Sequence, residues 1–214
     1  MTDLRIDVEP VLWSEAPDER SGRPLLVLLH GYGADERDLF GLAPYLGDYT
    51  LAAPRAPLAP PWPAPGYSWY DIQGLNGRDP AGVTAAASAL ISWLDEVAPG
   101  SPTALLGFSQ GGAVSLQALR LQPQRFAAVV NLSGYAAGGE LPGDAELAEL
   151  RPPVFWGRGT HDDVIPADAI TRTVEWLPGH STLSGRVYQG LTHSVSEQEL
   201  ADVRAFLDKH FPGS

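Results

Sequence analysis

Apolar residues form short continuous runs in some segments of this chain and recur at helical spacing in others. The order of these two kinds of segment predicts the fold. Leu25–Leu29 is continuously apolar, which predicts a central parallel strand covered on both faces. Similar short runs predict further strands at residues 50–53, 103–108, 126–132, 153–156 and 186–188. Near the start, Leu4, Ile6 and Val8 alternate with charged residues, a pattern typical of a half-buried edge strand.

Segments with helical spacing lie between these strands. They predict helices at residues 35–46, at residues 110–121, at residues 166–177 and from Pro80 to a stop at Pro99. The predicted inward positions of the helix at residues 166–177 are Ile170, Val174 and Leu177. Residues 196–199 have the composition of a capping box, which predicts the start of a closing helix with Leu200, Val203, Phe206 and Leu207 on its buried side.

Strands that alternate with helices predict an α/β fold. We expect one domain over residues 1–214, with a mostly parallel central sheet, helices on both faces and right-handed crossovers. Only residues 134–150 separate two of the predicted strands, which is too short for a cap domain, so the site is expected to be open. In such sheets, sites lie at the carboxyl ends of the strands.

The composition and net charge of the chain argue against several classes of binding partner and of chemistry. With 26 acidic against 14 basic residues, the net charge of -12 argues against nucleic acid and anionic membranes as partners. The chain has no cysteine, which excludes disulfides and a thiolate nucleophile. No apolar run approaches the roughly 18 residues of a membrane span, and no signal peptide is evident. We therefore predict a cytoplasmic protein without stable membrane insertion.

A proline-rich segment at residues 54–65 predicts a stiff surface loop, because proline lacks an N–H and fixes φ. It leads into an aromatic cluster at residues 66–71, which either walls a pocket or caps the core. Trp69 of this cluster and Tyr32 are the candidates for substrate binding. Exposed apolar residues in the loop are compatible with a homodimer contact.

The most informative motif is Gly-Phe-Ser-Gln-Gly at residues 107–111. It has the form G-x-S-x-G, and a predicted strand precedes it while a predicted helix follows it. This combination is the nucleophile elbow, in which a serine hydroxyl stands above a sheet on a tight turn that needs glycines. Ser109 is therefore the candidate nucleophile, although an ordinary Gly/Ser turn is the alternative.

A serine hydroxyl needs a base, and the base is usually a histidine oriented by a carboxylate. Of the five histidines, His193 follows the last predicted strand and precedes the last helix, which places it at the correct end of the sheet. The carboxylate is expected between serine and histidine in chain order. Asp162 and Asp163 both qualify, and we favour Asp162. Together with His161 they are unlike a metal site, because adjacent loop side chains rarely converge on one ion.

Attack on a carbonyl carbon creates an oxyanion, which preorganised N–H donors must stabilise. The backbone N–H of Gln110, directly after the nucleophile, is one candidate donor. The second is the backbone N–H of Tyr32, in the glycine-flanked turn that follows Leu25–Leu29.

Taken together, these blocks resemble the phospholipase/carboxylesterase branch of the α/β-hydrolases, which includes acyl-protein thioesterases and small bacterial carboxylesterases. The matching blocks, in order along most of the chain, are residues 29–33, 68–71, 107–112, 132–134, 162–166 and 190–194. The resemblance implies that Ser109 is the nucleophile, Asp162 the acid and His193 the base, with Tyr32 and Gln110 in the oxyanion hole. Tyr32 stands where many relatives have leucine, and Trp156 stands where many have histidine.

The expected function is hydrolysis of short- to medium-chain carboxylic esters through an acyl-enzyme, with no cofactor. Hydrolysis of longer acyl chains by a thioesterase or lysophospholipase is the second hypothesis, which a comparison of matched oxygen and sulfur esters would distinguish. A non-catalytic binding protein with a hydrolase fold is the third, and failure to react with a fluorophosphonate would support it. The partner expected under the first two hypotheses is a small-molecule ester or thioester.

Overall fold

A seven-stranded sheet forms the centre of the molecule. The computed structural model describes residues 4–60, 65–72, 79–211 and 213. The strands are β1 (Val11–Trp13), β2 (Leu25–Leu29), β3 (Thr50–Pro54), β4 (Thr103–Phe108), β5 (Phe126–Leu132), β6 (Pro153–Gly159) and β7 (Thr182–Tyr188). Their order across the sheet is β1-β3-β2-β4-β5-β6-β7. β1 pairs antiparallel with β3, and all other pairs are parallel. The predicted α/β class with a mostly parallel sheet is confirmed.

Within the described residues, six α-helices cover the two faces of this sheet. They are α1 (Ala43–Leu46), α2 (Pro80–Val97), α3 (Gln110–Leu121), α4 (Gly143–Leu150), α5 (Ala167–His180) and α6 (Glu197–His210). All five residues of β2 are buried, so other elements must pack on both faces of the sheet at this strand. Leu25, Val27 and Leu29 pack into the core beneath α2 and α3, whereas Leu26 and Leu28 pack into the core beneath α6. A continuously apolar strand of this kind is stable only between two helical layers.

The edge of the sheet differs from the prediction. Leu4, Ile6 and Val8 lie outside every strand, and Val11–Trp13 pairs with β3 in their place. Ile6 is buried and Leu4 is partly buried, but Val8 is half exposed, so the alternating pattern marks the core-facing side at residues 4 and 6 and fails at Val8. An alternating pattern specifies a buried face, but it does not specify a hydrogen-bonding partner.

The predicted helix at residues 35–46 is also wrong in form. The structure has a 3₁₀ helix at Leu39–Leu42 followed by the four-residue α1. Gly41 and Pro44 account for the difference, because glycine weakens a helix and proline removes an internal hydrogen bond. Leu39 and Leu46 are buried as the spacing indicates, so the apolar face survives the break in the helix.

Other differences concern element lengths and the orientation of α5. β6 and β7 extend beyond the predicted residues, and α4 was not predicted. In α5, Val174 is exposed, and the buried positions are Ala169, Thr173 and Leu177. Thr173 tolerates burial because its hydroxyl donates to the carbonyl oxygen of Ala169 and accepts from the N–H of Ala136. Because threonine is polar, the apolar spacing did not identify Thr173 as a buried position.

The start of α6 forms half of the predicted capping box. The Ser196 hydroxyl accepts from the Glu199 N–H at 3.1 Å. The return bond is not formed, because neither carboxylate oxygen of Glu199 has a hydrogen-bond partner among the described residues. Glu199 is fully buried, and burial raises the pKa of its carboxyl to about 7. The side chain fills the space beside Gly157, where a Cβ would lie 2.0 Å from its Oε1 atom.

We predict that Glu199→Gln removes a pH-dependent cost to folding. Because the folded pKa lies above the ordinary value of 4.5, the native state holds its proton more tightly than the unfolded chain does. The free energy of unfolding of the wild type should fall as pH rises from about 4.5 to about 7, and the loss should persist above pH 7. Relative to the variant, this loss should reach about 2–3 kcal/mol.

Urea denaturation at pH 5 and pH 8 measures this difference. Glu197→Gln is the matched control, because Glu197 lies exposed in the same helical turn. The control should shift stability by no more than about 0.5 kcal/mol at both pH values. Equal pH dependence in wild type and Glu199→Gln would show that Glu199 is charged in the native state at neutral pH.

Candidate active site

Ser109 occupies a sharp turn between β4 and α3, with φ 54° and ψ -112°. Its N–H donates to the Leu132 carbonyl oxygen at 2.8 Å, which fixes the turn to the end of β5. The turn depends on missing side chains, since a Cβ on Gly107 would lie 2.2 Å from the backbone of Gly111. A Cβ on Gly111 would lie 1.9 Å from the carbonyl oxygen of Leu29. These contacts give both glycines of the motif a steric reason.

His193 lies between Ser109 and Asp162. Its Nε2 atom is 2.9 Å from the Ser109 Oγ, and its Nδ1 atom is 2.8 Å from the Asp162 Oδ2. An ionised carboxylate only accepts hydrogen bonds, so Nδ1 carries the proton in this arrangement and Nε2 is free to accept from the hydroxyl. The loop after β7 supplies His193, and the loop after β6 supplies Asp162. All three side chains therefore come from the carboxyl ends of parallel strands.

Asp162 and Asp163 have different surroundings. The Asp162 side chain is 2% exposed, and its Oδ1 atom accepts from the backbone N–H groups of Val164 and Ile165. Asp163 is exposed. The structure thus brings Asp162, and not Asp163, against the imidazole of His193.

The other four histidines are engaged elsewhere. His161 bonds to the neighbouring Thr160 hydroxyl, and His180 stacks on Trp176. His210 packs against the Phe206 ring. His30 is buried near the site, where its Nε2 atom accepts from the Ala56 N–H at 3.1 Å and its Nδ1–H donates to the Gly31 carbonyl oxygen at 2.8 Å. Burial lowers the pKa of His30, which agrees with a neutral ring that supports the surrounding loops.

The backbone N–H groups of Tyr32 and Gln110 make no hydrogen bond to another residue in the described ranges. Gln110 opens α3, so its N–H is one of the groups that a helix leaves unpaired at its first turn. Tyr32 is partly exposed in the loop after β2. Both donors thus remain available to an incoming oxygen atom.

Trp69 lies beneath the surface of the site. Its side chain is fully buried, and its indole N–H donates to the His30 carbonyl oxygen at 2.8 Å. The ring is tilted against the imidazole of His30, with ring centres 5.3 Å apart. In this arrangement Trp69 supports the loop after β2 and has no surface open to substrate. Residues 61–64, which are part of the proline-rich loop with the predicted homodimer contact, lie outside the described residues.

The side chain of Gln110 has a role that the sequence analysis missed. It is buried, its Oε1 atom accepts from the Trp69 N–H at 2.9 Å, and its Nε2 atom donates to the Tyr70 carbonyl oxygen at 2.7 Å. It also bonds to the Ser68 hydroxyl. The residue that presents an N–H at the start of α3 thereby also holds residues 68–70. A glutamine directly after the nucleophile was the only signal in the sequence for this contact.

A buried ion pair is the second feature that the sequence analysis missed. The Arg55 guanidinium donates twice to the Glu36 carboxylate, with both distances 2.7 Å, and once to the Tyr67 hydroxyl at 3.0 Å. The Glu36 side chain is 1% exposed, and hydrogen bonding to Arg55 lowers its pKa. Because Glu36 follows the turn that contains Tyr32, the pair joins that turn to residues 55 and 67. Arginine and glutamate 19 residues apart gave no sequence signal of this pairing.

Two further backbone bonds close the same region. The Gly33 N–H donates to the Tyr67 carbonyl oxygen at 2.9 Å, and the Tyr67 N–H donates to the Ala34 carbonyl oxygen at 2.8 Å. Gly66 makes this approach possible, because a Cβ there would lie 2.2 Å from the Gly33 carbonyl oxygen. The turn that contains Tyr32 is thus fixed from several sides.

The described residues contain neither a candidate metal cluster nor a helix that could span a membrane. Within them, no cluster of three or more His, Asp or Glu side chains has the arrangement of a metal site. None of the helices in these ranges combines the length and apolarity that crossing a membrane requires.

Comparisons with known proteins add an independent finding. Residues 15–211 match the family model described as phospholipase/carboxylesterase. The chain is 34% identical to acyl-protein thioesterase 1 of Debaryomyces hansenii over 170 residues, covering 72% of this chain and 73% of the relative. A rice protein (Oryza sativa subsp. japonica) named "Probable carboxylesterase" is 30% identical over 212 residues, covering 90% and 79%. The crystal structure of esterase PE8 superposes with a TM-score of 0.74 at 27% identity, covering 94% and 98%.

We predict that Arg55→Ala destabilises the protein by about 3 kcal/mol at pH 7, because it leaves the buried Glu36 carboxylate without its main partner. Chemical denaturation measures the change. The loss should shrink as pH falls below the ordinary Glu pKa of 4.5, where a protonated Glu36 no longer needs a cation.

Arg172→Ala is the control for this experiment, because Arg172 forms only an exposed pair with Asp168. It should cost less than about 0.5 kcal/mol. A similarly small effect of Arg55→Ala at pH 7 would contradict a structural role for the buried pair.

Proposed function

The chain belongs to the phospholipase/carboxylesterase family of serine hydrolases, and from that premise we propose that Ser109, His193 and Asp162 act together in hydrolysing small carboxylic esters or thioesters. One observation carries the proposal, namely the continuous line of hydrogen bonds from Asp162 through His193 to Ser109. A base in hydrogen-bond contact with a nucleophile, and itself oriented by a third group, is the general arrangement of nucleophilic catalysis.

In the first half-reaction, His193 Nε2 takes the proton from the Ser109 hydroxyl as its Oγ attacks the carbonyl carbon of the ester. Asp162 stabilises the imidazolium that forms and keeps the ring in the required orientation. The tetrahedral oxyanion accepts hydrogen bonds from the N–H groups of Tyr32 and Gln110. Each such donor is worth about 3 kcal/mol in comparable sites. His193 then donates its proton to the leaving alcohol or thiol, and the acyl group remains on Ser109.

The second half-reaction reverses these roles with water. His193 takes a proton from a water molecule as its oxygen attacks the acyl carbon, and the same N–H groups stabilise the second oxyanion. The carbon–Oγ bond breaks, His193 returns the proton to Ser109, and the carboxylic acid leaves. Every step uses groups of this chain and water.

Two substrate classes compete for this site, and they differ in acyl length and in the atom of the leaving group. We propose short- to medium-chain esters, in keeping with the carboxylesterase name of the rice relative. The acyl-protein thioesterase name of the Debaryomyces relative supports the alternative of longer acyl thioesters to the same degree. A non-catalytic binding role is the third candidate, and nothing in the geometry of Ser109 favours it.

The first test is hydrolysis of a p-nitrophenyl ester series of increasing acyl length, with thioesters of matched length beside it. Activity should peak at short to medium chains, and Ser109→Ala should lower kcat at least about a thousandfold because it removes the nucleophile. Ser88→Ala is the matched control, since Ser88 lies exposed on α2, and it should retain wild-type rates.

Each contrary result has a distinct meaning. Activity retained in Ser109→Ala would remove Ser109 from the mechanism. Rates that rise steadily into long thioesters would replace the carboxylesterase proposal with the thioesterase one. Absence of both hydrolysis and fluorophosphonate labelling in the wild type would favour a binding protein.

The adjacent aspartates allow a second test with a matched pair of variants. Asp162→Asn should lower kcat about a thousandfold or more, because an asparagine no longer stabilises the imidazolium or fixes its tautomer. Asp163→Asn should stay within about twofold of the wild type, since Asp163 is exposed. The assignment fails if the two variants lose activity equally, or if only Asp163→Asn does. Melting temperatures of both variants check that the fold is retained.

A further inference from the structure

A cavity of about 270 Å³ lies against His193. Its lining is mostly apolar, and the apolar side chains are Leu39, Leu42, Phe108 and Val195. All four belong to the core on the α6 side of the sheet, either buried within it or packed against it. Trp69, which packs in the core on the opposite side of the sheet, does not line this cavity.

The cavity shares a wall with the residues that act on the ester. Phe108 directly precedes Ser109, and its ring centre lies 4.8 Å from that of His193. Leu39 and Leu42 form the ends of the 3₁₀ helix that follows the turn containing Tyr32. The cavity therefore lies where the base, the nucleophile turn and the segment at residues 39–42 meet.

The chemistry of the first half-reaction determines on which side of Ser109 each part of the substrate lies. In the tetrahedral intermediate, the oxyanion points to the N–H groups of Tyr32 and Gln110. The oxygen or sulfur of the leaving group must approach His193 Nε2, because that atom delivers its proton. Groups attached to the leaving atom consequently extend along the His193 side of the site, where the cavity lies.

Building on the proposed function, we infer that this cavity binds the alcohol or thiol half of the substrate and selects small, neutral, apolar leaving groups. The volume suits such a group, since pockets for drug-sized ligands occupy about 300–1,000 Å³. The four apolar side chains favour an alkyl or aryl group by removing it from water.

The charges around the cavity exclude a different class of leaving group. Among its described lining residues there is no lysine or arginine, and the acidic residue is Asp38. The neighbouring Arg37 directs its guanidinium at Asp35, 3.3 Å away, and at Glu36, 3.7 Å away. An anionic leaving group, such as the glycerophosphate half of a lysophospholipid, would meet Asp38 with no lysine or arginine among the described lining residues to receive it.

Two ester series separate the alcohol half from the acyl half. In the first, the acyl group is acetyl and the alcohol is ethanol, butanol or hexanol, so that every member forms the same acetyl-enzyme. In the second, the alcohol is ethanol and the acyl group lengthens. For the wild type, kcat/KM should rise at least about tenfold from ethyl to hexyl acetate, because added methylene groups enter an apolar cavity.

Leu42→Ala tests the cavity wall. It should reduce the hexyl-to-ethyl preference in the alcohol series about fivefold or more, and it should leave the preferences in the acyl series within about twofold of the wild type. Leu42→Phe, which fills the cavity, should discriminate against hexyl acetate directly, so the test does not depend on one variant. Val187→Ala is the control, since Val187 is exposed on β7 and outside the cavity lining, and it should change neither series.

Asp38→Asn tests the charge. It should raise kcat/KM for 4-sulfophenyl acetate relative to phenyl acetate about threefold over the wild-type ratio, because it removes a nearby negative charge. The intrinsic reactivities of the two esters are the same for both enzymes and cancel in this comparison.

The outcomes distinguish this proposal from the proposed function. If Leu42→Ala changes the acyl series and not the alcohol series, the cavity holds the acyl group and the inference is overturned. It is also overturned if neither Leu42 variant changes the alcohol series while ester hydrolysis remains normal. Loss of the proposed function itself would appear differently, as wild-type protein that hydrolyses no ester and takes up no fluorophosphonate.

Discussion

The backbone of Ser109 has a positive φ of 54°, and the arrangement of the site depends on the surrounding structure holding it there. A non-glycine residue in such a region of φ/ψ space costs of order 1–3 kcal/mol, and it persists only where its neighbours overdetermine it. Here the restraints are the end of β5, which accepts the Ser109 N–H, and the close contact between Gly107 and Gly111. Together they direct the hydroxyl toward His193.

The N–H groups near Ser109 are fixed by a second set of contacts that is mainly polar and buried. The Gln110 side chain holds residues 68–70, while His30 and Trp69 bond beneath the loop after β2. Glu36 and Arg55 join the turn after β2 to the segment after β3. Polar groups in an apolar interior are costly unless they are bonded, so satisfied bonds of this kind also favour one arrangement of the loops. Donors held in place before reaction need no reorganisation when charge develops.

Sequence alone was sufficient for the features that have a local signal. Leu25–Leu29 and the other apolar runs identified the central strands, and Gly-x-Ser-x-Gly between a strand and a helix identified the turn at Ser109. Chain order and the ends of the predicted strands pointed to His193 and to the adjacent pair Asp162 and Asp163, but they did not separate the two aspartates. Helix α2 begins at Pro80, as predicted, and its N-cap is Asp79. This start could be predicted because a capping signal lies entirely within neighbouring residues.

The features that the sequence did not reveal depend on contacts between distant residues. The choice of Val11–Trp13 as edge strand depends on which segment pairs with β3, and an alternating pattern carries no such information. Thr173 was not among the predicted inward positions of α5, because its hydroxyl bonds are visible only in the folded protein. The Glu36–Arg55 pair is similar, since charged residues are usually exposed and nothing local marks these two as partners.

The two sides of the site are held together by different kinds of interaction. The side that carries Tyr32 is held by buried polar bonds, among them the Glu36–Arg55 pair, so a substitution there leaves a buried group unpaired. The side next to His193 is lined by apolar side chains, among them Leu39, Leu42 and Val195. Apolar swaps of similar volume are usually tolerated at modest cost. The shape of the cavity can therefore change with little effect on the geometry at Ser109.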